Sequence, residues 1–181
     1  ARTGNQVLVG QRYETIRFDD KRRDLEKFFD RVNHDKLMSL VRERVKDEGV
    51  RTLIYRYLKA GVIIDDDCHW TGEGTPQGGP LSPLLANLLL DPLDRELERR
   101  GHCFVRYADD CNIYVKSAKA GRRVLVSVTQ YLSRKLKLKV NESKSAVDRP
   151  WKRTFLGFTF TGHRPNRRKV SDKVILRFKE E

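Results

Sequence analysis

The sequence has 181 residues, which is enough for one domain with a sizeable buried core, or for one domain plus a fragment. Its 38 Lys and Arg residues exceed its 25 Asp and Glu residues, so the formal net charge is +13. The basic residues are spread along the whole chain, which favours a polyanionic partner such as nucleic acid over a merely soluble basic protein. There is no signal peptide and no apolar stretch near 18 residues, so neither secretion nor a membrane span is indicated.

The cysteines indicate the redox environment of the protein, and the two ends of the sequence indicate whether it is a whole protein or a piece of one. The three cysteines, Cys68, Cys103 and Cys111, form no CxxC pair, and any disulfide scheme leaves one over. Reduced thiols in the cytoplasm fit this pattern best. The chain begins at Ala1 rather than Met and stops inside a predicted helix, so we expect a piece of a longer protein.

The first part of the chain predicts two short strands and a helix. The strands are expected at residues 7–9 and 15–18, and a charged loop follows at 19–23. Asn33 can cap a helix with one apolar face, for which Gly49 is a plausible end.

The middle of the chain predicts a second amphipathic helix ending near Gly61, followed by a strand at 62–64. A loop rich in Gly and Pro covers residues 72–83 and opens a strongly apolar helix. We expect Pro92 to kink this helix and Gly101 to end it.

The most informative stretch is an acidic pair between two short apolar strands, at residues 103–105 and 113–115. Tyr107 precedes the pair, which is Asp109 and Asp110. Adjacent carboxylates repel each other unless a cation lies beside them, so one interpretation is a divalent-metal site. The alternative is a solvated turn, because Asp is a common turn residue.

The remaining chain predicts a helix at 119–135, a strand at 138–140 and a bent hairpin strand at 155–160. A basic loop at 161–169 then leads into a helix that starts near residue 170. One antiparallel sheet with helices packed on one face accommodates this order, so the expected fold class is α+β.

Three features converge on one chemistry: Asp24 at a strand-to-helix transition, the Gly-rich loop, and the Asp109-Asp110 pair. A sheet can bring Asp24 close to Asp109 although they are far apart in sequence. Clustered carboxylates suit Mg²⁺, and two such ions can activate a 3′-hydroxyl and stabilise a leaving pyrophosphate. Glycines at 78 and 79 allow the backbone to approach a nucleotide closely.

Five ordered motifs resemble those of reverse transcriptases, and specifically those encoded by group II introns. Residues 104–110 (FVRYADD) resemble the Y/F-x-D-D motif, and residues 74–87 (GTPQGGPLSPLLAN) resemble the intron-type loop and helix. Residues 24–34 are similar to the first catalytic block, 155–160 to the primer grip, and 138–145 to the block between. The palm of a polymerase, a ferredoxin-like antiparallel sheet with helices on one face, is the fold that this resemblance implies.

The resemblance also implies residue roles. The metal-binding set would be Asp24, Leu25, Asp109 and Asp110, holding two Mg²⁺ ions for which Mn²⁺ can substitute. The nucleotide would be bound by Phe29, Pro76, Gln77 and Gly78.

Two further roles follow from the same resemblance. Lys144 would protonate the leaving pyrophosphate, whereas Leu156 and Gly157 would hold the primer end. Two of the assigned residues have ordinary alternatives, since Phe29 can be a core residue and Lys144 a solvated turn lysine. His34 is expected at the start of a helix, with no catalytic part.

The sequence departs from the family just before Asp24, where Lys21, Arg22 and Arg23 replace the expected apolar strand. Either residues 15–18 supply that strand through a loop, or the chain is altered here. The predicted division is therefore an unassigned segment at 1–23, a reverse transcriptase palm at 24–160, and a basic loop with the start of a thumb-leading helix at 161–181. Most of the fingers and the thumb would be missing.

The predicted function is RNA-directed DNA synthesis by a group II intron-type element, within a bacterial cytoplasmic ribonucleoprotein. Expected partners are an RNA template, a DNA primer, deoxynucleoside triphosphates and intron RNA, with no membrane; the oligomeric state stays open. The alternatives are a non-catalytic RNA-binding scaffold and a retron-type reverse transcriptase, with a metal nuclease more distant. We expect the isolated fragment to be weakly active or inactive.

Overall fold

The computed structural model describes residues 2–3, 14–18, 32–60, 62–64, 67–69, 73–75, 79–140, 145–162 and 167–180. Within these residues the helices are α1 (His34–Arg44), α2 (Glu48–Lys59), α3 (Ser82–Arg99), α4 (Ala118–Leu136) and α5 (Asp172–Glu180). The strands are β1 (Arg2–Thr3), β2 (Glu14–Phe18), β3 (Val62–Ile64), β4 (Asp67–His69), β5 (Cys103–Tyr107), β6 (Asp110–Val115), β7 (Ala146–Asp148), β8 (Phe158–Phe160) and β9 (Arg168–Val170). The strand predicted at 7–9 lies outside the described residues. No helix in the described part of the chain is both long enough and apolar enough to cross a bilayer.

The chain divides into two compact units, each built from separate stretches of sequence. The first contains Ala1–Asp19, Leu97–Ser127 and Glu142–Glu181, and the second contains Asp20–Glu96 and Val128–Asn141. The first holds the main sheet, whereas the second holds α1, α2 and the β3–β4 hairpin. Helices α3 and α4 contribute residues to both units.

The main sheet has five strands in the order β1-β5-β6-β2-β7, and every neighbouring pair is antiparallel. The predicted α+β class with an antiparallel sheet is therefore confirmed. Apolar residues on alternate positions of the central strands form its core; Ile16, Phe104 and Ile113 are at most 2% exposed. Ile113 stands opposite both Ile16 and Phe104, so these three side chains share one face.

Helix α4 begins against the same apolar face of this sheet. Gly121 lies so close to β6 and β7 that an added Cβ would come within 2.5 Å of Val147 Cγ1 and 3.4 Å of Val115 Cγ2. Close packing therefore favours glycine here, since a larger residue would force Val147 or the helix to shift.

Side-chain caps set the helix starts in the second unit. The Asn33 side chain accepts a hydrogen bond from the Lys36 amide at 2.9 Å, which confirms the predicted cap of α1. The prediction that Gly49 ends this helix is wrong. Helix α1 ends at Arg44, and Asp47 caps the next helix by accepting from Val50 N at 2.8 Å. Gly49 therefore falls in the first turn of α2.

Helix α3 continues through Pro92 and ends as predicted. Gly101, with φ of +70°, donates its amide to the Glu98 carbonyl, and His102 donates to that of Leu97. This pair of bonds is a Schellman motif.

The strand predicted at 138–140 is absent from the structure, which describes all three residues. After α4 the backbone reverses at Lys137 (φ +58°), and the Leu138 amide bonds the Leu132 carbonyl at 3.0 Å. Leu138 is buried against the helix end rather than paired in a sheet. Part of the predicted basic loop is also wrong, because β9 pairs with β8 within that stretch.

Candidate active site

The acidic pair lies where the chain turns from β5 into β6: Asp109 is in the turn and Asp110 is the first residue of β6. Tyr107 and Asp110 are the last paired residues, so the loop contains only Ala108 and Asp109. Ala108 has φ of +53°, a conformation that costs an L-residue about 1–2 kcal/mol. The predicted tight acidic hairpin is therefore present, with a locally strained backbone next to Asp109.

A buried arginine holds this turn from within its own strand. Arg106 is only 6% exposed, and its Nη1 donates to the Ala108 carbonyl at 2.6 Å. A charged donor to a backbone carbonyl is among the stronger hydrogen bonds in proteins. Arg106 is thus a positioning residue for the acidic turn.

Strand alternation places Asp110 on the polar face of the sheet. Asp110, Asn112 and Tyr114 alternate along β6 with the apolar Cys111 and Ile113. Burial raises the pKa of Tyr114 and the negative charge of Asp110 adds to this rise, although a hydrogen bond from the Asn112 amide opposes it. The electrostatic effect of Asp110 on Tyr114 agrees with their position on one face.

Strand β2 brings the chain to the edge of the sheet that carries this turn. It runs antiparallel to β6, with Phe18 opposite Cys111, the residue after Asp110. Residues 15–18 thus occupy a strand position beside the acidic hairpin, as the first of the two explanations for the altered sequence before Asp24 requires. Asp24 itself, six residues beyond Phe18, lies outside the described residues.

The start of the Gly-rich loop is anchored to the start of α1, within the second unit. The Gly74 amide donates to the Val32 carbonyl at 2.8 Å, and His34 Nε2 bonds the Gly74 carbonyl. His34 is 4% exposed and is the first residue of α1, as expected. Its contact with Gly74, 40 positions away, has no local sequence signal.

The far end of this loop is fixed by a tyrosine of α2. A Cβ on Gly79 would lie 1.8 Å from the Tyr57 hydroxyl, which is 3.1 Å from Ser82 Oγ at the start of α3. A Cβ on Gly79 would therefore meet the hydroxyl of Tyr57, and close approach of the backbone at Gly78 and Gly79 to a nucleotide stays a prediction. Pro76, Gln77 and Gly78, between the two anchors, lie outside the described residues.

Leu156 and Gly157 form a two-residue turn between Phe155 and Phe158, with φ angles of +49° and +82°. The amide of Ser171 donates to the Gly157 carbonyl at 2.8 Å, which ties the turn to the start of α5. Leu156 is 46% exposed, so its side chain is available to a partner. The candidate primer-grip residues thus stand at the tip of a turn in the first unit.

The residues available to hold a metal are oxygen donors. In the described ranges no group of three or more His, Cys, Asp or Glu residues is arranged as a metal site. Asp109 and Asp110 supply adjacent carboxylates, and Asn112 Oδ1 on the same face is buried without a hydrogen-bond partner among the described residues. Such oxygen ligands fit a hard cation such as Mg²⁺. Of the other candidate site residues, Leu25, Phe29 and Lys144 also lie outside the described part.

Comparison with known proteins decides the family. Residues 22–160, most of the chain, match the family described as reverse transcriptase (RNA-dependent DNA polymerase). This chain belongs to the reverse transcriptase family. The matched region contains Asp24, the Gly-rich loop, the acidic turn and the turn at Leu156.

Its relatives confirm the expected similarity to reverse transcriptases of group II introns. The group II intron-encoded protein LtrA of Lactococcus lactis subsp. cremoris is 46% identical over 72 residues, covering 40% of this chain and 12% of LtrA. A putative COX1/OXI3 intron 2 protein of Saccharomyces cerevisiae is 42% identical over 78 residues, covering 42% of this chain and 9% of that protein. Protein YkfC of Escherichia coli (strain K12) is 31% identical over 175 residues, covering 78% of this chain and 45% of YkfC. The reverse transcriptase chain therefore spans less than half the length of each of these relatives.

Proposed function

We propose that this chain is the palm of an RNA-directed DNA polymerase, in which Asp109 and Asp110 hold divalent metal ions at the end of the β5–β6 hairpin. The observation that carries the proposal is the acidic turn itself. Two carboxylates are held at the tip of two central strands by a buried guanidinium, and β2 ends beside them. A solvated turn requires no such buried support.

Bound Mg²⁺ would lower the pKa of the primer 3′-hydroxyl and neutralise charge on the leaving pyrophosphate. The residues of the chain itself bind and orient the metal ions, the primer end and the incoming nucleotide. Asp109 and Asp110 supply ligands, Arg106 keeps the turn in one conformation, and Leu156 with Gly157 contacts the primer end. Pro76, Gln77, Gly78 and Phe29 bind the incoming nucleotide, and Lys144 donates a proton to pyrophosphate.

A third carboxylate completes the metal site in this proposal, and Asp24 is our assignment, with Leu25 beside it. Six residues can span up to about 20 Å, so a loop after Phe18 can return Asp24 to the turn. Because β2 ends next to Cys111, Asp19 and Asp20 are closer along the chain. Asp24→Asn is expected to lower polymerisation at least 1,000-fold, whereas Asp19→Asn and Asp20→Asn change it less than tenfold. The reverse order would assign the ligand to the end of β2.

The deciding experiment is primer extension on an RNA template with Mg²⁺, using the longest translation product that contains this chain. Asp109→Asn plus Asp110→Asn should reduce incorporation at least 1,000-fold and leave thermal unfolding and RNA affinity unchanged. The matched control is Asp35→Asn plus Glu43→Gln, which removes two negative charges from exposed positions of α1. Equal incorporation by both double variants would refute the polymerase and favour a scaffold.

In the longer protein we also propose a role in binding intron RNA and assisting its splicing. The net charge of +13 and the similarity to LtrA support this role. The 181 residues alone are expected to extend a primer weakly or not at all. Splicing of a cognate intron at low Mg²⁺ concentration, with and without the protein, tests the second role separately from polymerisation.

A further inference from the structure

The longest stretch of unbalanced charge in the described chain is centred on α4. Between residues 116 and 140 there are eight Lys and Arg residues and no Asp or Glu. All eight are exposed: Lys116, Lys119, Arg122, Arg123, Arg134, Lys135, Lys137 and Lys139. We call this set the α4 basic surface.

Helical geometry gathers half of this charge on one side of α4. Gly121, Val128, Leu132 and Leu136 are buried on the opposite side. Lys119, Arg122, Arg123 and Arg134 follow helical spacing along the outer side, and about 22 Å of helix separates the first of them from the last. The lysines at 116, 137 and 139 continue the positive charge beyond both helix ends.

None of these eight side chains forms an ion pair with any residue that the structure describes. Other cations of the described chain do have carboxylate partners, since Arg44 and Arg95 pair with Asp91, and Lys169 pairs with Asp172. The positive potential of the α4 basic surface is therefore not neutralised by neighbouring described groups.

Helix stability does not account for this distribution. Arg134 and Lys135 lie in the last turn, where cations interact favourably with the helix dipole. Lys119 lies in the first turn, where the dipole favours anions and no acidic residue is present, and Arg122 and Arg123 lie in the next turn. Lys119 therefore opposes local stability, and Arg122 and Arg123 gain nothing from the dipole, so an external anion accounts better for these charges.

Within the first unit, the part of the α4 basic surface at Lys119, Arg122 and Arg123 faces away from the acidic turn. Gly121 contacts Val115 and Val147 on the apolar face of the sheet, whereas Asp110 lies on the polar face. The outer side of α4 is opposite Gly121 on the helix. A polyanion bound at Lys119, Arg122 and Arg123 therefore lies on the opposite side of the sheet from Asp110.

We propose that the α4 basic surface binds the phosphate backbone of double-stranded RNA, separately from the template and primer. This inference deepens the RNA-binding part of the proposed function and is independent of its catalytic part. A lipid surface is disfavoured because the apolar side of α4 is buried in the protein. Val126 is the large apolar side chain that its outer side exposes, at 57%.

The side chains of the outer face favour a duplex over a single strand. Single-strand binding uses exposed aromatic side chains for stacking, and Tyr131, the aromatic residue of α4, instead donates its hydroxyl to the Pro92 carbonyl. Arg123 and Arg134 are about 16 Å apart along the axis, with Gln130 and Ser133 between them. Two charged ends around a neutral centre suit two phosphate strands across a groove.

The test replaces Lys119, Arg122, Arg123 and Arg134 by Gln together and measures affinity for a hairpin RNA by fluorescence anisotropy over a range of salt. The control replaces Arg42, Lys46, Arg56 and Lys173, which are exposed cations outside the α4 basic surface, by Gln and removes the same number of charges. We expect the α4 variant to lose about 100-fold in affinity, with the slope of log K against log salt reduced by about 3. The control should lose less than fivefold.

Equal losses in the two variants would overturn the proposal and leave only a net-charge effect. Conversion of the same four residues to the other basic type (Lys119→Arg, Arg122→Lys, Arg123→Lys, Arg134→Lys) should restore affinity, and its failure would also contradict charge recognition. A single-stranded RNA and a DNA duplex of the same length should each bind more weakly than the hairpin RNA. Tighter binding of either would refute the assigned duplex RNA.

Primer extension separates this inference from the proposed catalytic function. The α4 variant should keep its kcat on a saturating primed template, whereas Asp109→Asn plus Asp110→Asn should keep its affinity for hairpin RNA. If the acidic pair is dispensable for synthesis, the proposed polymerase fails and the RNA surface stands.

Discussion

The turn between β5 and β6 and the turn at Leu156 and Gly157 are both two residues long, but different groups hold them in place. In the acidic turn, the Arg106 side chain bonds the Ala108 carbonyl. In the second turn, Phe155 and Phe158 exchange backbone hydrogen bonds of 2.8 and 2.9 Å, and the Ser171 amide bonds the Gly157 carbonyl. Both turns are closed by a backbone pair, Tyr107 with Asp110 in the first and Phe155 with Phe158 in the second, and the acidic turn has the Arg106 side chain in addition.

This difference has a consequence for how each turn responds to mutation. Truncation of Arg106 removes the side-chain support of the acidic turn and leaves the partly buried Ala108 carbonyl without this donor, which is costly. The bonds that close and anchor the second turn join backbone amides and carbonyls, so a side-chain truncation leaves these groups in place. Only a change in backbone preference, such as one at Gly157 (φ +82°), should disturb the second turn.

The largest effect is expected from Arg106→Met. Loss of a buried charged donor should lower the free energy of unfolding by about 2–3 kcal/mol, and displacement of Asp109 should lower kcat for primer extension about 100-fold. Urea unfolding and steady-state kinetics measure the two quantities. Arg106→Lys keeps the charge and should fall between wild type and Arg106→Met. A wild-type kcat in Arg106→Met would contradict the claim that Arg106 positions the acidic turn for catalysis.

Gly157→Ala should have a smaller effect, and on substrate affinity. Its Cβ would lie 3.4 Å from Val174 Cγ2, an ordinary contact, so the cost of about 1–2 kcal/mol comes from the positive φ. We expect KM for template and primer to rise about tenfold with kcat within threefold. Gly162→Ala is the matched control, since its Cβ would lie 3.5 Å from Trp151 in ordinary backbone geometry. Equal changes in KM in both variants would contradict the proposal that the turn at Gly157 contacts the primer.

Ala108→Gly tests the acidic turn by relieving its backbone strain instead of removing its side-chain support. Glycine relieves about 1 kcal/mol of strain at φ +53°, and the greater entropy of the unfolded chain offsets much of it. Alone it should change kcat less than twofold, whereas in the Arg106→Met background it should restore about tenfold. A double-mutant cycle measures this coupling. Strictly additive effects would show that Arg106 does not act through the Ala108 turn.

The smallest effect is a pH dependence at Tyr114. Burial and the charge of Asp110 raise the pKa of Tyr114 above its ordinary value of 10.0, so the folded state retains the phenol proton. The stabilisation is complete below pH 10 and is lost as pH rises through the raised pKa. Phenolate absorbance of wild type minus Tyr114→Phe measures the titration, and Asp110→Asn should move the pKa down. A Tyr114 pKa at or below 10 would contradict the shared face of Asp110 and Tyr114.

The sequence predicted those features of the fold that local chemistry determines. Asn33 caps a helix with its own side chain, and Gly101 ends another because it accepts a positive φ. The acidic hairpin follows from two short apolar strands around two polar residues. In each case the deciding contact lies within a few positions of the residue.

The features that sequence reasoning missed depend on contacts between distant positions. Gly79 contacts Tyr57, 22 positions away. Gly49 is an exception, since a competing local cap at Asp47 starts the next helix before it. His34 meets Gly74 only after folding, and no local pattern indicates their contact. The residue roles assigned to Asp24, Gln77 and Lys144 stay predictions.

The most direct measurement replaces Mg²⁺ by Fe²⁺ and maps the backbone cleavage that hydroxyl radicals produce next to the bound ion. If one metal site joins the acidic turn to Asp24, cuts should appear both at residues 107–111 and near Asp24. They should be suppressed by excess Mg²⁺ and absent in the variant that combines Asp109→Asn with Asp110→Asn. Cleavage confined to one of the two segments, or unchanged in that variant, would contradict a shared metal site.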